Sequence, residues 1–210
     1  MIVALDGPAA SGKGTIALGL AKYFNFDHID SGLLYRFYPD VSILLEKIPT
    51  RKKVETFMSS LNDANFDNLR NENHAQTAAK FAQLPQVRSL VNEVIRKMCH
   101  EASKKFDGIV VDGRDIGTVV FPDADVKLFV TAPAKVRAHR RYEEMLSRGL
   151  DVDFDNILAD IRARDDRDAG RATAPLKPAV DAILLDTGDL TIGAAVQAAI
   201  AAVEARLRAV

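Results

Sequence analysis

The chain has 210 residues, with 28 Lys and Arg against 29 Asp and Glu, and a formal net charge of −1. That length suits one domain with a small insertion, and a make-up of 48% apolar and 27% charged residues excludes wholesale disorder. No apolar run approaches the roughly 20 residues of a membrane helix, the start carries no basic signal-peptide region, and a single cysteine, Cys99, excludes a disulfide framework. The near-neutral balance also argues against a nucleic-acid partner gripped through bulk positive charge. The expectation is a cytoplasmic globular enzyme or small-molecule binder.

Short apolar runs at 2–5, 26–29, 109–111, 126–131 and 183–185 read as strands. They lack polar alternation and favour Val, Ile and Phe, as strands buried on both faces do. Helical periodicity follows the first strand at Ile16, Leu18, Leu20, Ala21 and Phe24. Another helix starts at Pro85, a residue suited to a first turn, and repeats Val87, Leu90, Val91, Val94, Ile95 and Met98. Further patterns run over 133–146 and over an alanine-rich 192–207. Strands alternating with helices predict an α/β fold, a five-stranded parallel sheet with helices on both faces. Two stretches fall outside that scheme: 36–84, polar over 61–76, and 148–180, dense in Arg and Asp. In α/β enzymes such insertions serve as specificity segments or lids.

Between the first strand and its helix lies Gly7-Pro8-Ala9-Ala10-Ser11-Gly12-Lys13-Gly14-Thr15. A glycine-rich loop in this strand–loop–helix setting is a P-loop: its backbone N–H groups and the helix dipole cradle phosphates, and Lys13 reaches the β- and γ-phosphates. The loop is expected to bind a nucleoside triphosphate. Gly14 stands where the plain motif has Ser or Thr, and Thr15 follows one place later, which favours a Mg²⁺ ion held through water. The Asn-Lys-x-Asp element of guanine-reading switch proteins is absent, because the chain has no Asn-Lys pair.

A kinase of a small phosphorylated acceptor needs positive charge beyond that loop. Residues 137–171 hold eight arginines (Arg137, Arg140, Arg141, Arg148, Arg162, Arg164, Arg167, Arg171) interleaved with nine acids, and no lysine. The planar guanidinium fork suits phosphate. A solvated helix laced with i, i+4 pairs such as Asp160–Arg164 and Arg164–Asp168 accounts for any one of them equally well. Past the strand at 109–111 comes Asp112-Gly113-Arg114-Asp115, where an open α/β sheet places its ligand crevice. Asp112 could hold Mg²⁺ through water, with Arg114 and Asp115 reaching into the crevice. Ser31 and Arg36 follow the second strand in the same way. His28, His74, His100 and His139 have no metal-ligand spacing. On these grounds alone a kinase of UMP or another small acceptor, and a non-catalytic nucleotide-binding switch, stay open.

Asp6-Gly7-Pro8 with Gly12-Lys13-Gly14-Thr15, then Asp30-Ser31-Gly32 with Tyr35-Arg36, then Asp112-Gly113-Arg114-Asp115-Ile116-Gly117-Thr118-Val119-Val120-Phe121-Pro122 resemble, in that order, the bacterial-type cytidylate kinases among P-loop nucleoside monophosphate kinases. Arg164-Asp165-Asp166-Arg167-Asp168 with Arg171, Ala174-Pro175-Leu176 and Asp181-Ala182 continue the likeness over most of the chain. The resemblance implies one monomeric domain with a core at 1–35, 85–136 and 181–210, a short acceptor-binding segment at 36–84 and an Arg-rich lid at 137–180. It implies ATP and CMP or dCMP as substrates with Mg²⁺, and no nucleic-acid or membrane partner. By position, Gly7 to Thr15 look like the ATP loop. Ser31, Arg36, Arg114 and Arg171 look like acceptor-phosphate contacts, Arg164 and Asp168 like ribose contacts, and Arg88 with Asp115 like the pair that reads the cytosine edge. Lys13, Arg114 and the lid residue Arg141 look catalytic, and Arg137 and Arg140 look like further lid contacts to phosphate. The chain departs from the family where a base-contacting Ser gives way to Ala79, and in a shortened 36–70 segment without a β-hairpin.

Overall fold

Ile2–Asp6 forms β1 at the middle of a five-stranded sheet of order β2-β3-β1-β4-β5. The other strands are β2 (Asp27–Asp30), β3 (Ile109–Asp112), β4 (Val126–Thr131) and β5 (Ile183–Asp186). The structure, a computed structural model, describes residues 1–66, 68–70 and 72–208. Positions 67 and 71 of the expected 36–84 segment, and 209–210 at the end of the expected core, lie outside the described residues. β1 pairs in parallel with β3, matching Ile2 to Ile109 and Leu5 to Asp112, and with β4, matching Val3 to Val126 and Asp6 to Phe129. β4 pairs in parallel with β5. Each expected strand is present, with its ends moved by no more than a residue, and the fold is the P-loop α/β fold.

Helices occupy the intervals: α1 (Lys13–Phe24), α2 (Ser31–Glu46), α3 (Lys53–Ser60), α4 (Glu72–Phe81), α5 (Pro85–Ala102), α6 (Ala134–Ser147), α7 (Phe154–Ala169) and α8 (Ile192–Arg208). Backbone contacts divide the chain into two compact units, residues 1–28 with 106–210, and residues 29–105. In the first, α1 and α8 pack together, and Val3, Leu5, Val110, Leu128 and Val130 of the strands meet Ile16, Leu20, Ala199 and Val203 in one core. Gly19 permits that approach, since a Cβ there would lie 2.6 Å from Val196. A smaller cluster, Ala138 with Leu158 and Ile161, joins α6 to α7. In the second unit α2 packs on α4 and α3 on α5, and Phe37 meets Phe57 edge-on at 5.5 Å. The described residues of 36–84 thus form helices and the turns between them, with no strand among them.

One expectation fails at the sheet edge. The apolar run at 183–185 predicts a strand buried on both faces, but Leu184 is 66% exposed and Ile183 is exposed as well. β5 is the last strand of the sheet, so its outer side has no neighbouring strand. Among the described residues no helix is long and apolar enough to cross a membrane.

The chain leaves β1 through Gly7, whose φ is +149° and where a Cβ would fall 1.9 Å from the Val130 carbonyl oxygen of β4. Only glycine fits so close to that backbone. Gly7→Ala should lower stability by about 2 kcal/mol or more through that clash and weaken ATP binding in step, both read by urea unfolding and nucleotide titration of the same preparations.

Candidate active site

Asp6 ends β1, and the loop Gly7 to Gly12 carries the chain into α1. Ala10 (φ +58°) and Gly12 (φ +88°) take left-handed backbone, and nothing lies within 4 Å of a Cβ built on Gly12. The loop is therefore open at Gly12 and closed at Gly7. Two side chains brace its carbonyls. Thr187 Oγ, just past β5, is shared between the Ser11 carbonyl (3.2 Å) and the Thr131 carbonyl (3.1 Å). Arg137 Nη1 donates to the Ala9 carbonyl at 3.1 Å.

Lys13 opens α1 with its ammonium buried, donating to the Pro8 carbonyl at 2.7 Å and lying 3.4 Å from Ser11 Oγ. Burial pushes its pKa well below that of a free lysine, and the Arg114 guanidinium adds to the drop. Asp112 and Asp6 act against it, and Arg164 weakly with it. Lys13 and Arg114, expected at the phosphates from sequence, and Arg164, expected at the ribose, thus share one electrostatic neighbourhood. An incoming polyanion would relieve all three cations at once.

Asp6 is buried and accepts backbone N–H bonds from Ile116 (2.7 Å) and Gly117 (2.8 Å). Burial raises its pKa to about 6 against the opposing pull of those two bonds; Asp115 raises it further and Lys13 lowers it. A carboxyl whose folded pKa lies above its unfolded value holds its proton more tightly when folded. Its contribution therefore favours folding at acid pH and is lost as pH rises from about 4 to about 6. Asp112, at the end of β3, lies 3.3 Å from His28 Nε2. Its carboxylate comes within 3.9 Å of a Cβ built on Gly14, whereas the neighbouring Thr15 is exposed.

Asp168 joins two of the expected contacts. Its carboxylate accepts from Arg114 Nε at 3.0 Å and from Arg171 Nη2, and its carbonyl receives Leu176 N–H at 2.8 Å. Asp115 is buried and begins the π-helical turn Ile116–Val120, its carbonyl accepting from Val119 and Val120. Arg141 pairs with Glu144 at 2.8 Å.

Arg137 and Arg140 take up roles the sequence did not indicate. Arg137 is buried, donating to Ala132 and Ala9 carbonyls and, through both terminal nitrogens, to Asp165 of α7. Arg140 is tied to Oγ and carbonyl of Thr187 and to the Leu190 carbonyl. Both hold the loop's surroundings together. Thr187 and Asp6 carried a signal that went unread: each ends or follows a strand at its C-terminal edge, the place that singled out Asp112.

In the second unit Ser31 is buried at the start of α2, behind Asp30, whose side chain caps the helix by accepting Leu33 N–H at 3.2 Å. Arg36 lies one turn on. Arg88 is buried near the start of α5, giving Nη1 to the Ala82 carbonyl at 3.0 Å, its guanidinium 5.7 Å from the Tyr35 ring centroid. Ala79 sits in α4.

The family model for cytidylate kinase matches residues 3–205. The chain belongs to the cytidylate kinase family. The cytidylate kinase of Xanthobacter autotrophicus is 44% identical over 98% of this chain and 98% of its own length. That of Methylocella silvestris is 46% identical over 97% and 94%. A protein of known crystal structure from Thermus thermophilus aligns over 99% of this chain and 97% of its own with a TM-score of 0.52 at 20% identity, a likeness of fold. Membership of this kinase family makes the chain an enzyme that uses ATP.

The Arg137–Asp165 pair ties α6 to α7. Arg137→Ala should cost roughly 2–3 kcal/mol, the lower end for a broken buried pair because Asp165 is partly exposed. Asp165→Asn should cost less. Urea unfolding of both single variants and the double variant checks this, the double falling short of the sum.

Proposed function

We propose that the enzyme transfers the γ-phosphoryl group of ATP to CMP or dCMP, giving ADP and CDP or dCDP. The observation that carries this reading is a P-loop with left-handed backbone at Ala10 and Gly12 and a buried Lys13 ammonium, in a chain similar end to end to cytidylate kinases. Gly7, Pro8, Ala9, Ala10, Ser11, Gly12, Lys13, Gly14 and Thr15 bind the triphosphate. Ser31, Arg36, Arg114 and Arg171 bind the acceptor phosphate, Arg164 and Asp168 the ribose, and Arg88 and Asp115 the base. Arg141 is the lid arginine nearest this chemistry in role. The chain acts as one nucleoside monophosphate kinase domain with core 1–35, 85–136 and 181–210, acceptor segment 36–84 and lid 137–180. It works as a cytoplasmic monomer on small nucleotides.

No general base is needed. A phosphate monoester has a second pKa near 6, so at neutral pH the acceptor oxygen is already an anionic nucleophile. The residues align it with the γ-phosphorus, neutralise charge on the moving group and exclude the water that would otherwise hydrolyse ATP. Lys13 and Arg114 supply positive charge where the transition state spreads negative charge. Asp168, held between Arg114 and Arg171, fixes the direction of both guanidinium groups. The donor set suits Mg²⁺, which keeps most of its waters and takes few protein ligands: the Asp112 carboxylate would hold it through water and Thr15 would offer a hydroxyl. When bound, the ion neutralises charge on the β- and γ-phosphates.

A coupled ADP-release assay with CMP, dCMP, UMP and AMP tests the reaction. Turnover should depend on the acceptor and favour cytosine, and Lys13→Ala should lower kcat by about 10²–10³-fold or more with an unchanged circular dichroism spectrum. ADP release indifferent to acceptor would overturn the reading.

Base choice has its own test. Arg88→Ala should raise KM for CMP by roughly 10–100-fold, as expected for loss of a charged hydrogen bond, and narrow the preference for CMP over UMP. An unaltered preference would make Arg88 a structural residue of α5 alone.

A further inference from the structure

The three-residue turn Gly113 to Asp115 is fastened at both ends to consecutive residues of β1. At its start, Gly113 N–H donates to the Leu5 carbonyl at 2.9 Å. At its end, Ile116 and Gly117 N–H both donate to the Asp6 carboxylate, one to each oxygen, at 2.7 and 2.8 Å. The first fastening is the ordinary ladder of a parallel sheet. The second is made by a side chain, and it is the one that sequence substitution can remove. Asp115 is in turn held from its far side, because Val119 and Val120 close the π-helical turn onto its carbonyl.

Asp6 is also the residue before Gly7, so the group that holds the end of this turn is covalently the entrance of the P-loop. The register leaves no slack: a Cβ on Gly117 would lie 3.4 Å from Asp6 Oδ2 and 3.2 Å from the Lys127 stem. We infer that Asp6 is a positioning residue for phosphoryl transfer, its carboxylate fixing Arg114 and Asp115 in register with the P-loop lysine. The inference rests on the cytidylate kinase reading for the roles of Arg114 and Asp115. Asp6 itself touches neither nucleotide in this scheme. A buried carboxylate beside Asp115 is a poor choice for stability alone, since burial and that neighbour both oppose its charge. Its value lies in offering two acceptor oxygens to adjacent N–H groups, which neither an amide nor an apolar side chain does.

The effect should fall on the acceptor side. The P-loop keeps its other restraints, from Thr187 on the Ser11 carbonyl and Arg137 on the Ala9 carbonyl, whereas the Arg114 turn loses one of its two fastenings to β1. Asp6→Asn leaves one acceptor oxygen and turns an NH₂ group toward an N–H donor.

Two measurements on the full chain decide it. Amide exchange followed by NMR, without nucleotide, should show the Ile116 and Gly117 N–H groups exchanging at least tenfold faster in Asp6→Asn, with the β1 and β4 amides unchanged. Steady-state kinetics should show kcat/KM for CMP falling at least 30-fold while KM for ATP stays within threefold. Gly117→Ala, which presses on the same carboxylate from the other side, should give the same kinetic split and serves if Asp6→Asn does not fold. Unchanged exchange, or KM for ATP and CMP rising together, would overturn the inference. If the wild-type enzyme turned over no CMP, the functional reading would fail instead, and the exchange comparison would still report whether Asp6 holds the turn.

Discussion

Lys13 carries its ammonium out of water at the first turn of α1, and the groups around it only partly offset that cost. Asp6 and Asp112, at the C-terminal ends of two neighbouring strands, lie near enough to favour the charge, but Arg114 and Arg164 oppose it. The site is therefore short of negative charge in the way a phosphate-binding site must be. A fully compensated lysine would gain little from a triphosphate, because new contacts would replace equally good ones. Here two further cations lie close enough to oppose the lysine's charge. The carboxylates of the same region are each already engaged. Asp6 is occupied by two N–H donors, Asp112 faces His28, and Asp168 is engaged by Arg114 and Arg171.

The arginines around the P-loop unit sort by what their guanidinium groups already hold. Arg137 and Arg140 are bound to carbonyls at Ala9, Ala132, Thr187 and Leu190, which have no way to leave. Arg114 and Arg171 share the Asp168 carboxylate, one oxygen on each, and Arg114 also donates Nη1 to the Gly113 carbonyl. Arg141 pairs with Glu144 near the surface, and such a pair is individually weak. A net charge of −1 describes the sum of these arrangements and says nothing of their division.

That division also sets what could be read from the sequence. β1, β3 and β4 were legible because a central parallel strand must be apolar on both faces, and the P-loop because its spacing follows from wrapping backbone around a phosphate. β5 looked identical in composition, yet it lies at the sheet edge, and nothing in Ile183-Leu184-Leu185 records whether another strand follows. α2 is not legible in the sequence, and Pro39, a residue ordinarily taken to end a helix, lies within it. α3 and α4 are short and polar, with too few apolar positions to establish a period. Arg137 and Arg140 could not be told from ligand-binding arginines. One points its fork at Asp165, 28 residues away, and the other at Thr187, 47 residues away, and only the fold brings these together.

Bracing of the P-loop from behind has a chemical consequence. Donors aimed at developing charge are most effective when they need not reorganise as the charge forms. A glycine-rich loop has many conformations, and fixing one of them is an entropic cost that falls on ligand binding unless the protein has met it already. Thr187 on the Ser11 carbonyl and Arg137 on the Ala9 carbonyl restrain the loop at two of its inner residues. Gly7 fixes its entrance by close approach to Val130, and the first turn of α1 fixes its exit through the Ile16 N–H bond to the Gly12 carbonyl. A loop held at four points enters the reaction with its shape already set. The same bonds run through Asp165 into α7, the helix that bears Arg164 and Asp168. Arg137 thus links the P-loop directly to the helix of Arg164 and Asp168, by bonds that do not pass through a nucleotide.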